Sequence, residues 1–223
     1  MSEITGVLVD GHMFDIKNDM TDDSHFPNSL FPGATFKMVI DNDPANNTKV
    51  RWIYSTNITG SPLAVSADGT VTFPGIDEKC CGESFHIIAV DKETHKITTY
   101  TFTVKRFFKY SEEIYNSVKD ISPWIEKMHG AFPASLDVDS QVDMSDSDHK
   151  ITRDVNGGLF QEWGKMAHSG WAVNPAEYEG VCSIYTFDKE HNHYYLLEDS
   201  GFNQIIVFFY YAQAVAFYGT SRV

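Results

Sequence analysis

Short hydrophobic runs separated by turn residues occupy the chain from Gly6 to about Arg106. They predict β-strands near residues 7–9, 13–14, 34–40, 50–55, 63–65, 71–73, 84–90 and 97–104. In the last run Tyr100, Phe102 and Val104 alternate with threonines, which is typical of a strand with one buried face. Closely spaced short strands of this kind predict a β-sandwich, with Trp52 packed between its sheets.

The pattern changes after residue 107. Ser111 followed by Glu112 and Glu113 predicts the start of a helix that ends at Ser122-Pro123. Apolar residues of helical spacing predict a second helix over 158–166. Strands are predicted at 181–187, 194–197, 204–211 and 214–218. The acidic stretch from Asp137 to Asp148 is predicted to be a solvated loop. Two helices followed by an antiparallel sheet form an α+β domain, so the whole chain is predicted to be mainly β with an α+β part.

Several motifs then occur in an order known from one family. These motifs are His25-Phe26-Pro27, residues 31–36, 50–55, 65–73 and 100–104, and the aromatic pair Phe107-Phe108. Together they resemble the last immunoglobulin-like domain of the invasin/intimin family and its junction with a C-type-lectin-like domain. The segment from Gly158 to Gly164 resembles the second-helix signature of that lectin-like domain. The resemblance implies an Ig-like β-sandwich over residues 1–106 and a C-type-lectin-like domain over residues 107–223.

The cysteines depart from the family pattern. The family usually closes the lectin-like domain with a disulfide from the first helix to the last strand. Here residues 115–117 and 214–223 contain no cysteine. Cys80, Cys81 and Cys182 are expected to be free thiols, because adjacent cysteines seldom pair with each other. The aromatic core must compensate for the missing bridge, which would contribute about 2–4 kcal/mol.

The composition narrows the class of partner. The formal net charge of −14 argues against nucleic acid and against an anionic lipid surface, both of which require clustered Lys and Arg. The longest strongly apolar run, from Ile205 to Tyr211, is too short to span a bilayer. The first six residues do not resemble a secretion signal, so an exported protein would carry its exporting part elsewhere.

Metal and catalytic motifs are weak in this sequence. His191 and His193 have the spacing of two ligands on one face of a strand, and the carboxylates between Asp137 and Asp148 could hold calcium. Surface histidines and a solvated loop are the preferred interpretations, so no metal and no cofactor are predicted. Cys182 has apolar neighbours and is expected to be an inert buried thiol. No catalytic motif occurs, and an enzyme is not predicted; a hydrolase with paired carboxylates is a third reading, which a structure can test.

Aromatic rings and amides near loops of the second half predict a protein-binding surface, since interfaces favour large amphipathic rings. The candidate contact residues are Trp171, Asn174, Tyr178, Asn192, Tyr194 and Asn203.

The predicted function is that of an adhesin tip. The sandwich acts as a spacer, and the lectin-like domain binds a host-cell surface receptor, with a protein preferred to a glycan. The resemblance further implies a bacterial cell-surface location, in a parent protein anchored in the outer membrane, and a role in attachment or invasion. A monomer is expected. The alternative is a self-association module for contact between bacteria, which would use the hydrophobic run 205–211 as an exposed sheet edge.

Overall fold

The chain folds into two compact units. The computed structural model describes residues 2–175, 180–205 and 211–223. The first unit comprises the chain up to Lys105 together with Asp154–Asn156, and the second comprises Arg106–Arg153 and Gly157–Val223. In the described part of the chain, no helix has both the length and the apolar character needed to cross a lipid bilayer.

The first unit is a sandwich of two antiparallel sheets. Its strands are β1 Ile4–Val9, β2 His12–Asp15, β4 Thr35–Ile40, β5 Val50–Thr56, β6 Ala64–Val65, β7 Thr70–Thr72, β8 Ser84–Asp91 and β9 Ile97–Thr103. The short strand β3 Ser29–Leu30 also lies in this part of the chain but in neither of the two sheets. One sheet has the order β2-β1-β4-β7-β6, and the other has the order β5-β8-β9. A short helix, α1 Ile16–Asp19, and two 3-10 helices, Pro44–Lys49 and Glu78–Cys80, lie between the strands. The predicted hydrophobic runs coincide with strands, whereas α1 and β3 were not predicted.

Aromatic rings fill the interior of this sandwich. Phe85 and Phe102 stack at 5.1 Å between ring centroids, and Phe26 and Phe36 meet edge to face at 5.2 Å. Tyr100 is buried and its hydroxyl donates to the carbonyl of Phe26 at 2.6 Å. The buried face of β9 is therefore the Tyr100/Phe102 face that the alternation predicts.

A buried asparagine holds the predicted turn at Asp68-Gly69. The side chain of Asn47 donates to the carbonyls of Met38 and Asp68 and accepts from the N–H of Ile40. Gly69 has φ +80°, and a Cβ there would lie 2.7 Å from the Asn47 side-chain nitrogen. The turn therefore requires glycine both for its backbone conformation and for space. Trp52 is buried as predicted, and its indole N–H donates to the carbonyl of Asn47 at 3.2 Å.

The second unit is an α+β arrangement. Its strands are β10 Arg106–Tyr115, β11 Ser183–Asp188, β12 His193–Glu198, β13 Asn203–Ile205 and β14 Ala212–Gly219, which lie in one sheet in the order β13-β12-β11-β14-β10. Its helices are α2 Val118–Lys127, α3 Ser135–Val138 and α4 Leu159–Trp163, followed by a 3-10 helix at Met166–Ser169. The predicted strand over 204–211 begins as β13, and its residues 206–210 lie outside the described residues.

The predicted first helix starts in the wrong place. Residues 111–115 continue β10, because Ile114 and Tyr115 pair with Gln213 and Ala212 of β14 across a bulge. Ser111 is not an N-cap: its hydroxyl donates to Glu113 and accepts from the N–H of Ala214. Strand pairing thus overrides the local capping signal.

The helix itself, α2, starts later and continues past its proline. Ser117 caps it by accepting the N–H of Asp120, and Pro123 lies inside the helix. Ile121 and Ile125 pack on the sheet against a buried cluster that includes Tyr185 and Leu196. This apolar contact offsets the backbone hydrogen bond that proline cannot make.

The acidic stretch is solvated only in its second half. Asp137 and Asp139 are fully or almost fully buried, whereas residues 143–148 are exposed. Asp137 forms an ion pair with Arg106 at 3.2 Å and accepts from Ser221 and from the N–H of Arg222. The prediction of a solvated loop is therefore wrong for Asp137 and Asp139, because each finds donors inside the unit that sequence spacing does not reveal.

Candidate functional site

The β11–β12 hairpin ends in a tight polar turn. Asp188 begins this turn: one carboxylate oxygen accepts the N–H groups of Glu190 and His191, and the other lies 2.7 Å from His191 Nδ1. Asn192 follows with φ +54°, a left-handed conformation that asparagine tolerates. The hydrogen bond from His191 lowers the pKa of Asp188, and the same bond raises the pKa of His191. The turn therefore presents a fixed, charged and exposed surface.

Aromatic rings support the base of this turn. Phe187 and Tyr194 are opposite each other on β11 and β12, with ring centroids 4.7 Å apart. Phe132 meets Tyr194 edge to face at 5.1 Å, and the N–H of Phe187 donates to the carbonyl of Pro133. We call residues 187–194 together with Phe132 the hairpin surface. All three rings are only partly buried.

A cavity of about 390 Å³ lies beside the hairpin surface. Its apolar wall is formed by Ala134, Leu136, Val142, Met144 and Phe187, and its charged rim by Asp188, Lys189 and Glu190. Met144 is 40% exposed, so its side chain is accessible to a partner at the cavity. The cavity combines an apolar floor with convergent charges, which is the composition that ligand and protein contacts favour.

Exposed carboxylates border the cavity on the side of residues 143–148, which we call the acidic loop. Asp143 accepts from the hydroxyl and the N–H of Ser145, and these bonds lower the pKa of Asp143. The loop is held in place by Asn203, whose side chain donates to the carbonyl of Asp146 at 2.8 Å. The N–H of Asn203 also donates to Ser147. The acidic loop is therefore held by hydrogen bonds from Asn203 and carries ionised carboxylates.

The six predicted contact residues do not form one surface. Asn192 is exposed and Tyr194 is half-buried, and both lie on the hairpin surface. Trp171, Asn174 and Asn203 are buried, at 3%, 6% and 2% exposure. Tyr178 lies outside the described residues.

These three buried residues have contacts inside the second unit, and their role in binding stays a prediction. Trp171 stacks on Tyr110 at 4.5 Å between ring centroids. Asn174 donates to the hydroxyl of Ser183, and Asn203 braces the acidic loop. Rings and amides near loops serve packing as well as binding, and only the tertiary contacts distinguish the two roles.

Sequence reasoning missed Phe132, Phe187, Met144 and Lys189. Phe187 had a readable signal, because it faces Tyr194 once the residues between them are recognised as a hairpin turn. Met144 also had one, since it is the single large apolar residue between Asp143 and Asp148. Its contact with the cavity depends on the path of the loop.

The structure also shows the surroundings of the metal and thiol candidates of the sequence. Among residues 2–175, 180–205 and 211–223, no three His, Cys, Asp or Glu side chains lie close enough to hold a metal ion. Cys182 is fully buried, and burial, together with the charge of Asp199, raises the pKa of its thiol to about 12. The three cysteines are free thiols. Cys182 is therefore an unreactive core residue at neutral pH.

The two units have the folds that the sequence resemblance implies, an Ig-like sandwich followed by a C-type-lectin-like domain, as in the C-terminal region of invasin/intimin-family adhesins. Residues 5–102 match the family model described as Invasin, domain 4. The predicted resemblance to this adhesin region is confirmed.

The individual proteins to which this chain is similar include invasin. Invasin of Yersinia enterocolitica is 27% identical over 165 residues, which cover 74% of this chain and 17% of that protein. The chain thus spans about a sixth of the length of this curated relative. The crystal structure of invasin, described as a bacterial integrin-binding protein, aligns with a TM-score of 0.69 at 22% identity, over 99% of this chain and 40% of that one. Intimin-190 from enteropathogenic E. coli aligns over 97% of this chain and 98% of its own, with a TM-score of 0.46 and 12% identity.

Proposed function

We propose that this chain is the tip of a bacterial surface adhesin, which binds a host-cell surface receptor protein and mediates attachment or invasion. The parent protein is anchored in the outer membrane and this segment is extracellular. Residues 1–106 form the spacer domain and residues 107–223 form the domain that makes contact. The observation that carries the proposal is the apolar cavity between the hairpin surface and the acidic loop.

The composition of this surface suits protein recognition. Binding energy at protein interfaces concentrates on a few apolar and aromatic anchors surrounded by a polar rim. Met144 and Phe187 supply the apolar part, while Asp188, Lys189 and Glu190 supply the rim. The turn and the acidic loop are held by their own hydrogen bonds, so little conformational entropy is lost when a partner binds.

The similarity to invasin supports a protein receptor. Because the similar invasin structure is that of an integrin-binding protein, purified integrins are the first receptors to test. A glycan remains the alternative ligand. The absence of a metal cluster among the described residues favours neither one.

The decisive experiment compares two substitutions at residues of equal exposure. Met144→Asp places a charge in the apolar wall of the cavity, whereas Val173→Asp changes a side chain that is 42% exposed elsewhere in the second unit. We expect Met144→Asp to weaken binding to the receptor about tenfold or more and Val173→Asp to leave it within about twofold. Binding is measured by surface plasmon resonance against purified integrins and against host-cell membrane proteins recovered by pull-down.

The control outcomes are distinct. Equal binding by wild type and Met144→Asp would exclude the cavity as the contact. A loss restricted to Val173→Asp would move the contact to the neighbouring loop with Trp171 and Asn174. Binding of wild type to a glycan array but to no protein would replace the protein receptor with a glycan, and silence in both assays would contradict the adhesin proposal.

Self-association is the second candidate. It was predicted from the run 205–211, of which only Ile205 and Tyr211 are described, and both are more than 40% exposed. Sedimentation velocity over a concentration series separates the two functions. The receptor-binding proposal expects a monomer throughout, and a concentration-dependent dimer that Ile205→Asp abolishes would support self-association.

A further inference from the structure

One end of the sandwich carries a cluster of positive charge in an otherwise acidic protein. Lys49, Arg51, Lys92 and Lys96 are all exposed there. They are half of the Lys and Arg residues that precede Arg106, the full set being Lys17, Lys37, Lys49, Arg51, Lys79, Lys92, Lys96 and Lys105. Such a concentration in a chain with a formal net charge of −14 marks a surface of opposite character to its surroundings.

Strand pairing brings these residues together from separate parts of the sequence. Arg51 on β5 is directly opposite Val90 on β8. The N–H of Lys92 donates to the carbonyl of Lys49 at 3.0 Å, and the N–H of Asp91 donates to the carbonyl of Lys96 at 2.9 Å. The residues that carry these charges therefore belong to hydrogen-bonded backbone segments and not to a free loop.

The acidic residues nearby are mostly engaged in other contacts. The carboxylate of Asp91 accepts the N–H groups of Thr94, Ser2 and Glu93, and these hydrogen bonds, that of Thr94 first, lower its pKa. Asp68 forms an ion pair with Lys37 at 2.8 Å. Glu93 remains an exposed acid on the β8–β9 turn. The local balance of exposed side chains is positive.

A groove of about 550 Å³ adjoins the cluster. Arg51, Lys92 and His95 line it together with Asp91, whose carboxylate is engaged by backbone N–H groups, with Trp52 and with apolar residues that include Val50 and Val65. It lies along β5 and β6, which are the edge strands of the two sheets. The indole of Trp52 is held by its bond to the Asn47 carbonyl, and the ammonium of Lys92 donates to the carbonyl of Thr48 at 2.7 Å.

We propose that this groove, the basic groove, binds a segment of sulfated glycosaminoglycan on the host-cell surface. Sulfate groups remain ionised at all physiological pH values, and the guanidinium of Arg51 can bind one through two parallel hydrogen bonds. Val65, which is half-buried, and Ala67, which is exposed, offer an apolar wall on which a sugar ring can pack. This site lies on the first unit and does not depend on the receptor contact proposed for the second unit.

The charges predict how binding at this site depends on salt concentration. The net charge of −14 repels a polyanion at long range, so attraction acts only over the short distances at which the cluster dominates. Binding is therefore expected to weaken as salt rises, with a slope that reflects about two to four neutralised sulfates.

The test uses a size-defined heparin oligosaccharide and the intact chain. The double variant Arg51→Gln/Lys92→Gln removes two charges that line the groove, and its matched control, Lys17→Gln/Lys79→Gln, removes two exposed charges elsewhere in the same unit. We expect isothermal titration at low ionic strength to show binding by wild type, a loss of tenfold or more in the groove variant, and a change within twofold in the control. Matching thermal unfolding midpoints verify that all variants are folded.

Two further ligands test the chemistry. Chemically desulfated heparin is expected to lose binding, and polyglutamate is expected to bind at least tenfold more weakly than heparin. Absence of heparin binding by wild type would overturn the proposal, and so would equal losses in the two double variants. Polyglutamate binding as strong as heparin would reassign the basic groove to an acidic protein segment.

Discussion

The two units bury polar groups to different extents. Among the described residues of the first unit, Asp91 is the one buried side chain that carries a formal charge. The second unit buries Arg106, Asp137, Asp139, Glu162, Glu198 and Asp199. A sandwich satisfies most of its backbone groups by strand pairing, whereas long irregular segments need side-chain partners.

Asp139 and Asp199 illustrate how the second unit uses its carboxylates. Asp139 contacts His149 Nε2 at 2.7 Å and accepts from the Gln161 side chain and the N–H of Gln141. Asp199 accepts the N–H groups of Met166 and Cys182, at 2.9 and 3.1 Å. Each carboxylate joins segments that are far apart in sequence, and Asp139 also holds Gln141, which precedes the cavity residue Val142.

The largest expected effect follows from removing one such carboxylate. Asp137→Ala leaves Arg106 buried without its counter-ion and should cost about 3–5 kcal/mol of unfolding free energy. Asp146→Ala, in the exposed acidic loop, should change it by less than about 0.5 kcal/mol. Urea unfolding is monitored by hydrogen exchange, so that a loss of stability in the second unit is distinguished from a loss in the first unit. Equal stability of the two variants would show that the buried ion pair does not hold this unit.

A smaller effect is expected from the polar group buried in the sandwich. Asn47→Ala removes the partners of the Ile40 N–H and of the Met38 and Asp68 carbonyls, which should cost about 2–3 kcal/mol. Asn46, half-buried with one bond of 3.4 Å, is the matched control and should change stability by less than about 0.5 kcal/mol when replaced by alanine. Similar losses in both variants would mean that the turn at Gly69 holds without the asparagine.

The alkylation rates of cysteines in the two units should differ by tenfold or more. A hydrogen bond from Cys80 lowers the pKa of the half-exposed Cys81, while burial raises that of Cys182 to about 12. Because the thiolate is the reactive form, iodoacetamide at neutral pH should label Cys81 well before Cys182. Peptide mass spectrometry over a time course measures the order. Earlier labelling of Cys182 would show that the core of the second unit opens readily.

The smallest effect concerns the turn of the hairpin surface. The hydrogen bond and the charge of Asp188 raise the pKa of His191, so the charged pair stabilises the turn fully below the ordinary histidine pKa. That contribution is lost as pH rises through the raised pKa. An NMR titration of the His191 ring should show this raised value in wild type and a lower one in Asp188→Asn. If the pKa of His191 in Asp188→Asn equals that of wild type, the pair with Asp188 does not raise it.

The regular strands were predictable because local residues decide them. Alternation in β9 and the Asp68-Gly69 turn are readable since side chains two apart share a face and few residues adopt positive φ. The start of α2 was not readable. Ser111 satisfies a capping rule, yet its neighbours Ile114 and Tyr115 pair with β14, which lies about a hundred residues later in the sequence.

The candidate site was predicted only in part, for a related reason. The hairpin turn with Asn192 and Tyr194 follows from local sequence, and both residues lie on the hairpin surface. Trp171, Asn174 and Asn203 have the same residue types but are buried. Residue type suggests what a side chain can do, while neighbours from other segments determine whether it is accessible.

The sequence by itself determined the strand and turn pattern of the first unit, its aromatic core and the resemblance to the invasin/intimin adhesins. All of these depend on residues close together in the chain. Tertiary structure alone decided that Asp137 and Asp139 are buried, that Met144 borders a cavity, and that Arg51 and Lys92 line one groove. These features arise where distant segments meet, and a buried charge or a shared surface exists only through partners that the local pattern does not specify.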